Sequence, residues 1–281
     1  MDSSLSSNAS PPQHSRIQHG NSHVPEATNT SITPIADSKK SPSAISLRAF
    51  LLGTAFGVSL ALTVVQLQPP LNPLWRAPCF LVILSTFHFL EFYITARYNP
   101  PAATLSAFLL AGNGYAYNVA HTLAFLECIL RNYVAPRYYA EWLLLQPFNG
   151  FLPVGGGARA AWLTLGLTML LGGQGIRTLA MAQAGTNFNH LVQSRKKEGH
   201  VLVTNGIYGW LRHPSYFGFF WWGLGTQLIM GNLVCLVGYA VVLWRFFSLR
   251  IQSEEKFLVA FFGADYVRYR DETAVGIPMI P

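Results

Sequence analysis

The feature that most constrains this chain is a series of apolar runs of about membrane length. Residues 44–66, 74–96 and 160–180 form three of them, and a further run lies within 102–130, from Tyr115 onward. A helix rises about 1.5 Å per residue and the hydrocarbon core of a bilayer is about 30 Å thick, so about 20 apolar residues cross it. In lipid every backbone N–H and C=O must be satisfied within the chain, which favours helices. The expected fold class is therefore all-α, a polytopic membrane helical bundle of about six transmembrane helices. Charged residues make up only 11% of the chain, against about 25% in ordinary soluble domains. The formal net charge of +7 would suggest nucleic acid in a soluble protein. In a membrane chain it reflects Lys and Arg on cytoplasmic faces. With no stacking module and no zinc-knuckle spacing, nucleic-acid binding is not expected.

The remainder divides by composition. Residues 1–43 are rich in Ser, Pro, Asn and Thr and lack apolar periodicity, so they are expected to be a disordered tail. No apolar core follows the initiator Met, as a signal peptide requires, and Lys39, Lys40 and Arg48 would hold the tail in the cytosol. Residues 44–184 are assigned to the membrane-spanning bundle. Within them, the loop 135–157 carries three prolines and Gly155-Gly156-Gly157, and its middle, 138–145, suits an interfacial helix or a short span. Cys79, Cys128 and Cys235 each lie alone in apolar surroundings. They predict neither a disulfide nor a metal site.

The last apolar stretch is split by Gly231-Asn232 into 216–230 and 233–249. A tight connection of this kind predicts an antiparallel helical hairpin over 216–249. A hairpin returns to the side it left, so Arg212 and His213 should share a face with Arg250 and Glu254. Fifteen of the 31 charged residues fall in 193–281, which marks the C-terminal third, 185–281, as the catalytic region. With a cytosolic tail and four spans before it, that region is expected in the cytosol.

Several residues there bear chemistry. Arg250 and Glu254 are four apart and share a helix face. Either they form an ordinary ion pair at a solvated helix end, or they bring an anion-binding guanidinium and a cation-binding carboxylate to one site. In Arg212-His213-Pro214-Ser215-Tyr216, Pro214 suits a first helical turn, whereas an imidazole at a membrane mouth is a functional candidate. Upstream, Gln193 and His200 lead into the apolar triplet Val201-Leu202-Val203, which a linker does not need, and Thr204-Asn205-Gly206 reads as a turn. His88, Glu91, His121 and Glu127 lie within the early spans, where polar groups face a bundle interior or a cavity. The glycine clusters lack the strand–turn–helix context of a dinucleotide site.

The motif RHPSYFG (Arg212–Gly218), a hydrophobic stretch, and then Glu254-Glu255 and FFGADYVRYR (Phe261–Arg270) resembles a membrane methyltransferase pattern. The longer context GTNFNHLVQ, HVLVTNGIYGWLRHPSYFGFFWWGLGTQ and WRFFSLR is similar to the isoprenylcysteine carboxyl methyltransferase family over about 185–281. The resemblance implies a multi-span enzyme of the endoplasmic reticulum membrane with its active site facing the cytosol. It implies transfer of a methyl group from S-adenosylmethionine to the C-terminal carboxylate of a prenylated cysteine in processed CaaX proteins. Partners would be C-terminally prenylated proteins, such as small GTPases or lipopeptide pheromone-like substrates. The positions matching the family's cofactor contacts are Gln193, His200, Val201, Leu202, Val203, Tyr208, His213, Pro214, Ser215, Tyr216 and Glu254. Arg250 matches the arginine associated with the substrate carboxylate. In this reading His213 and Tyr216 sit on an aqueous rim above Phe219, Phe220, Trp221 and Trp222. The alternative is a phospholipid N-methyltransferase on the same scaffold, whose amine acceptor would need a base and no carboxylate clamp.

Overall fold

The computed structural model describes residues 40–110, 114–134, 156–196 and 198–281. Residues 1–39 of the expected tail and the segment 138–145 lie outside them. Among the described residues there are seven α-helices and no strand. They are α1 (Pro42–Leu67), α2 (Arg76–Tyr98), α3 (Gly114–Ile129), α4 (Gly156–Ala184), α5 (Pro214–Met230), α6 (Val234–Phe262) and α7 (Ala264–Glu272). Three are long and apolar enough to cross a membrane: α1, α2 with the turn before it, and α6. At 16 and 17 residues, α3 and α5 are only about 24–26 Å long.

Helix α5 is buried along most of its length. A helix that is apolar all round belongs inside a bundle, and α5 packs against α2, α4 and α6. Gly231 closes it with φ +72°, and the amides of Gly231 and Asn232 both return to the last turn, on Leu228 O and Gln227 O. This left-handed glycine cap starts the hairpin. The apolar arm 233–249 is the first part of α6, and the helix continues past Arg250 and Glu254, as their shared face anticipates, to Phe262. Arg250 to Phe262 contains neither Gly nor Pro, and Gly263, at φ +57°, is the first residue to break the pattern. Arg250 and Glu254 therefore lie within a rigid helix.

Helices α4 and α5 form the closest pair. A Cβ on Gly173 would sit 2.5 Å from Gly218 O and 2.6 Å from Trp222 N, and one on Gly218 would sit 2.5 Å from Gly173 O. Seven residues along each helix the contact repeats, with a Cβ on Gly225 2.8 Å from Gly166 O. Small residues let backbones meet where apolar burial alone gives helices no reason to associate. The polar groups of the early spans are also used in packing. The Glu127 carboxylate accepts from the amides of Leu233, Val234 and Cys235 at 2.7–2.9 Å and so caps the start of α6. His88 spans Phe108 O at 2.8 Å and the Tyr117 hydroxyl at 3.0 Å.

After α7 the chain returns across the bundle. Val275, Ile277 and Ile280 are buried in the cluster that holds Phe220, Phe247 and Ile251, and Trp244 Nε1 donates to Pro278 O at 2.9 Å. The glycine contacts generate a paired test. Gly173→Ala pushes a methyl against backbone that cannot yield and should destabilise the protein by about 1–3 kcal/mol, the usual cost of overpacking. Gly172→Ala, which meets nothing within 4 Å, should be neutral. Thermal melting of both variants in detergent checks this, and equal melting temperatures would contradict the packing.

Candidate active site

The N-terminus of α5 and the middle of α6 meet through a pair of carboxylates with different surroundings. Glu255 is taken up by structure: Arg212 Nε lies 2.7 Å from its Oε1 and His213 Nε2 3.1 Å from the same atom. Arg212 is itself buried and gathers the carbonyls of Arg270 and Thr273, with a further bond to Pro281 O. Its charge therefore ties α6, α7 and the C-terminal segment to the turn before α5. His213 is 6% exposed, so it is not on an aqueous rim as expected. Glu255 draws its ring inward, where it stacks on Tyr216 with ring centroids 5.4 Å apart.

Glu254 is more open, with its side chain 27% exposed. It accepts a 2.6 Å hydrogen bond from the Tyr216 hydroxyl. The same hydroxyl accepts from Arg250 Nε at 2.8 Å. The i,i+4 pair anticipated on α6 is thus joined through a tyrosine from α5. Arg250 Nη2 donates to the carbonyl of His190, and Nη1 has no partner among the described residues.

The side chains around Glu254 line a cleft that opens to solvent. Gln193, His200, Val201, Leu202, Val203, Tyr208, His213, Pro214, Ser215, Tyr216 and Glu254 all border it, with Phe257, Leu258, Phe261 and Phe262 of α6 opposite. Arg250 is outside this lining, on the far side of the Tyr216 hydroxyl. The loop wall is fixed locally. Val201 N donates to Asn187 Oδ1 at 3.0 Å, and Ile207 N to Gln183 Oε1 at 2.8 Å. Tyr208 donates to Ala180 O at 3.2 Å, and burial raises its phenol pKa above the ordinary value, so it remains a neutral donor. Lys196 Nζ reaches Phe261 O at 2.9 Å and lies over the Phe262 ring, joining the loop to the end of α6. Among the described residues no cluster can hold a metal ion.

Comparisons with known proteins identify the family. The model of the isoprenylcysteine carboxyl methyltransferase (ICMT) family matches residues 165–260. Protein-S-isoprenylcysteine O-methyltransferase of Saccharomyces cerevisiae is 41% identical over 84% of this chain and 91% of its own. The chain belongs to the isoprenylcysteine carboxyl methyltransferase family. Its human member is 37% identical over 84% of this chain and 75% of its own. A solved structure of this family, the eukaryotic intramembrane Ras methyltransferase, superposes with a TM-score of 0.71 at 33% identity, covering 84% of this chain and 77% of that one. This family chain is a membrane methyltransferase by descent, and its all-helical fold resembles that structure.

Sequence reading missed two neighbours of the site. Arg177 of α4 forms a two-pronged ion pair with Glu91 of α2, Nε–Oε1 2.5 Å and Nη2–Oε2 2.7 Å, both side chains buried. Its Nη1 donates to Ser215 Oγ at 2.8 Å. The available signal was one opposite charge in each of two apolar runs. The other is His190, whose Nδ1 lies 3.6 Å from Glu91 Oε2. Burial, reinforced by the Arg177 and Arg250 cations and opposed by Glu91, lowers its pKa to about 4.

That depression has a direction. His190 stays neutral in the fold, while an unfolded histidine takes up a proton near 6.5. Its contribution to stability is intact above about pH 6.5 and is lost as pH falls toward about 4. The melting temperature should therefore fall less steeply between those limits in His190→Gln than in the parent, and identical slopes would contradict the assignment.

Proposed function

We propose that this chain is an S-adenosylmethionine-dependent protein-S-isoprenylcysteine O-methyltransferase, acting on the C-terminal carboxylate of prenylated cysteine in processed CaaX proteins. The observation that carries the reading is the Tyr216 hydroxyl, which holds the Glu254 carboxylate on the cleft side and the Arg250 guanidinium on the other. A donor site for a cation and an acceptor site for an anion thus meet at one oxygen. The family names its members for this reaction.

The cleft fits the methyl donor chemically. Val201, Val203, Phe257 and Phe261 offer an apolar wall suited to a nucleobase, Gln193 and His200 offer polar groups, and Glu254 offers a negative charge. When bound, S-adenosylmethionine supplies an electrophilic methyl group on a cationic sulfur. Glu254 would answer the positive charge, and Tyr216 would keep the carboxylate aimed. No general base is required of the protein, because a terminal carboxyl with a pKa of about 3.3–3.7 is already ionised at neutral pH. The task left to the chain is orientation, which can supply about 7–11 kcal/mol of a barrier. Arg250, fixed by Tyr216 and the His190 carbonyl, would present Nη1 to the carboxylate and leave an oxygen lone pair for attack. A phospholipid amine acceptor would gain nothing from this guanidinium, and no observation favours it.

The membrane reading extends the same proposal. Six crossings with residues 185–281 as the catalytic region would place the cleft on the cytosolic face of the endoplasmic reticulum. There a water-soluble donor can meet a lipid-anchored acceptor on prenylated partners such as small GTPases or lipopeptide pheromones. The short, buried α5 suits a hairpin held inside the bundle.

Purified protein given labelled S-adenosylmethionine should methylate a prenylcysteine and leave phosphatidylethanolamine unlabelled; the reverse pattern would overturn the reading. Glu254→Gln keeps the shape and removes the charge, so cofactor Kd should rise about ten- to a hundredfold, the loss of a charge-assisted bond of roughly 1.5–3 kcal/mol. Arg250→Ala should bind cofactor within a few-fold of the parent yet lose about two orders of magnitude in turnover. Arg250→Lys should recover only part, because an ammonium lacks the planar fork. Titration and methyl-transfer assays on both Arg250 variants check this, and parental turnover in Arg250→Ala would end the clamp assignment.

A further inference from the structure

Arg250 has two fixed contacts, and one is a backbone carbonyl in an irregular segment. That carbonyl belongs to His190, between α4 and the Gln193 loop. An irregular segment does not by itself hold an atom to the tolerance an orienting residue needs, since a misplacement of about 1 Å can cost about a hundredfold in rate. His190 is held from its side chain. Its ring is mostly buried against α2, where Nε2–H of the neutral imidazole donates to Thr95 Oγ1 at 3.3 Å. Thr95 is fixed in turn, because its hydroxyl donates to Glu91 O at 2.7 Å. A continuous set of contacts therefore runs from the backbone of α2, through the Thr95 hydroxyl and the imidazole, to the main-chain atom that sets the guanidinium plane.

We propose that His190 is a positioning residue for Arg250, keyed by Thr95 on α2, so that a helix remote in sequence sets the geometry on the acceptor side of the site. This rests on the reading of Arg250 as the carboxylate-orienting group. His190 touches neither reactant in this account and acts only through its carbonyl. The ring supplies the anchor, so removing the ring frees the carbonyl without deleting it. The cofactor side is secured separately, by Tyr216 on Glu254 and by Asn187 and Gln183 on the loop. Loss of the anchor should then affect turnover and spare donor binding.

The test is a double-mutant cycle on the full-length protein in detergent, with labelled S-adenosylmethionine and a prenylcysteine. His190→Ala should lower kcat about ten- to a hundredfold, with cofactor Kd within about threefold. Thr95→Val, which keeps the volume and removes the ring's hydroxyl partner together with that hydroxyl's bond within α2, should show a smaller loss of the same kind. On an Arg250→Ala background His190→Ala should cost nothing more, since two residues acting as one unit are not additive. An additive loss, or a rise in cofactor Kd matching the fall in kcat, would overturn the proposal and make the contact structural. If Arg250→Ala alone turns over at the parental rate, the clamp reading fails instead, and the two failures are told apart by that single variant. Should His190→Ala not fold, Thr95→Val in the same cycle decides the question.

Discussion

An arginine inside an apolar bundle needs an opposite charge at its side, and Arg177 has Glu91. The attraction between them is largely offset by the cost of taking two ions out of water, so the pair adds little net stability. Its effect is on register. A shift of α2 against α4 by one residue would leave a bare carboxylate and a bare guanidinium in a medium that cannot solvate them. The third arm of Arg177 reaches Ser215 in the first turn of α5, so the position of that turn is set by the same ion pair. Pro214, Ser215 and Tyr216 follow from it, and through the Tyr216 hydroxyl so do Glu254 and Arg250.

The two consecutive glutamates on α6 show how identical chemistry is sorted by neighbours. Glu255 faces Arg212 and His213 and fastens the turn before α5 to the helix. Glu254, about 100° further round the helix, faces the cleft and keeps part of its carboxylate exposed. One carboxylate is fixed and the other stays available to the cleft, so neighbouring positions on one helix divide those demands. The aromatic ring of Tyr216 completes the arrangement by stacking on His213 while its hydroxyl serves both Glu254 and Arg250.

Much of this was legible from residue order. Apolar runs of membrane length set the helices, Gly231-Asn232 marked the hairpin, and the RHPSY and EE segments located the cleft. Three things were not legible, for physical reasons. Glu254 was singled out by its spacing from Arg250 and by the family resemblance, but the capture of Glu255 by Arg212 and His213 depends on helix phase and packing. Glu91 and Arg177 are 86 positions apart and each alone looks like a routine polar residue in a span; only the fold brings the charges together. The full extent of α6 was open because hydropathy falls after Leu249 while helix formers continue to Gly263.

The glycine contacts between α4 and α5 bear on how such a site admits a bulky lipid chain. Two backbones that touch at points seven residues apart cannot turn or slide past one another by a fraction of a helical turn without a carbonyl meeting a Cα. That pair is the fixed frame of the molecule, with Arg177 and the RHPSY turn mounted on it. The widening that a C15 or C20 tail demands must then come from partners that meet α5 through side chains alone. Helix α6 is one: its Leu243 methyl faces Gly223 at a place where a side chain can rotate away. One wall of any lipid path along α5 is therefore immobile, because its backbone already lies against that of α4.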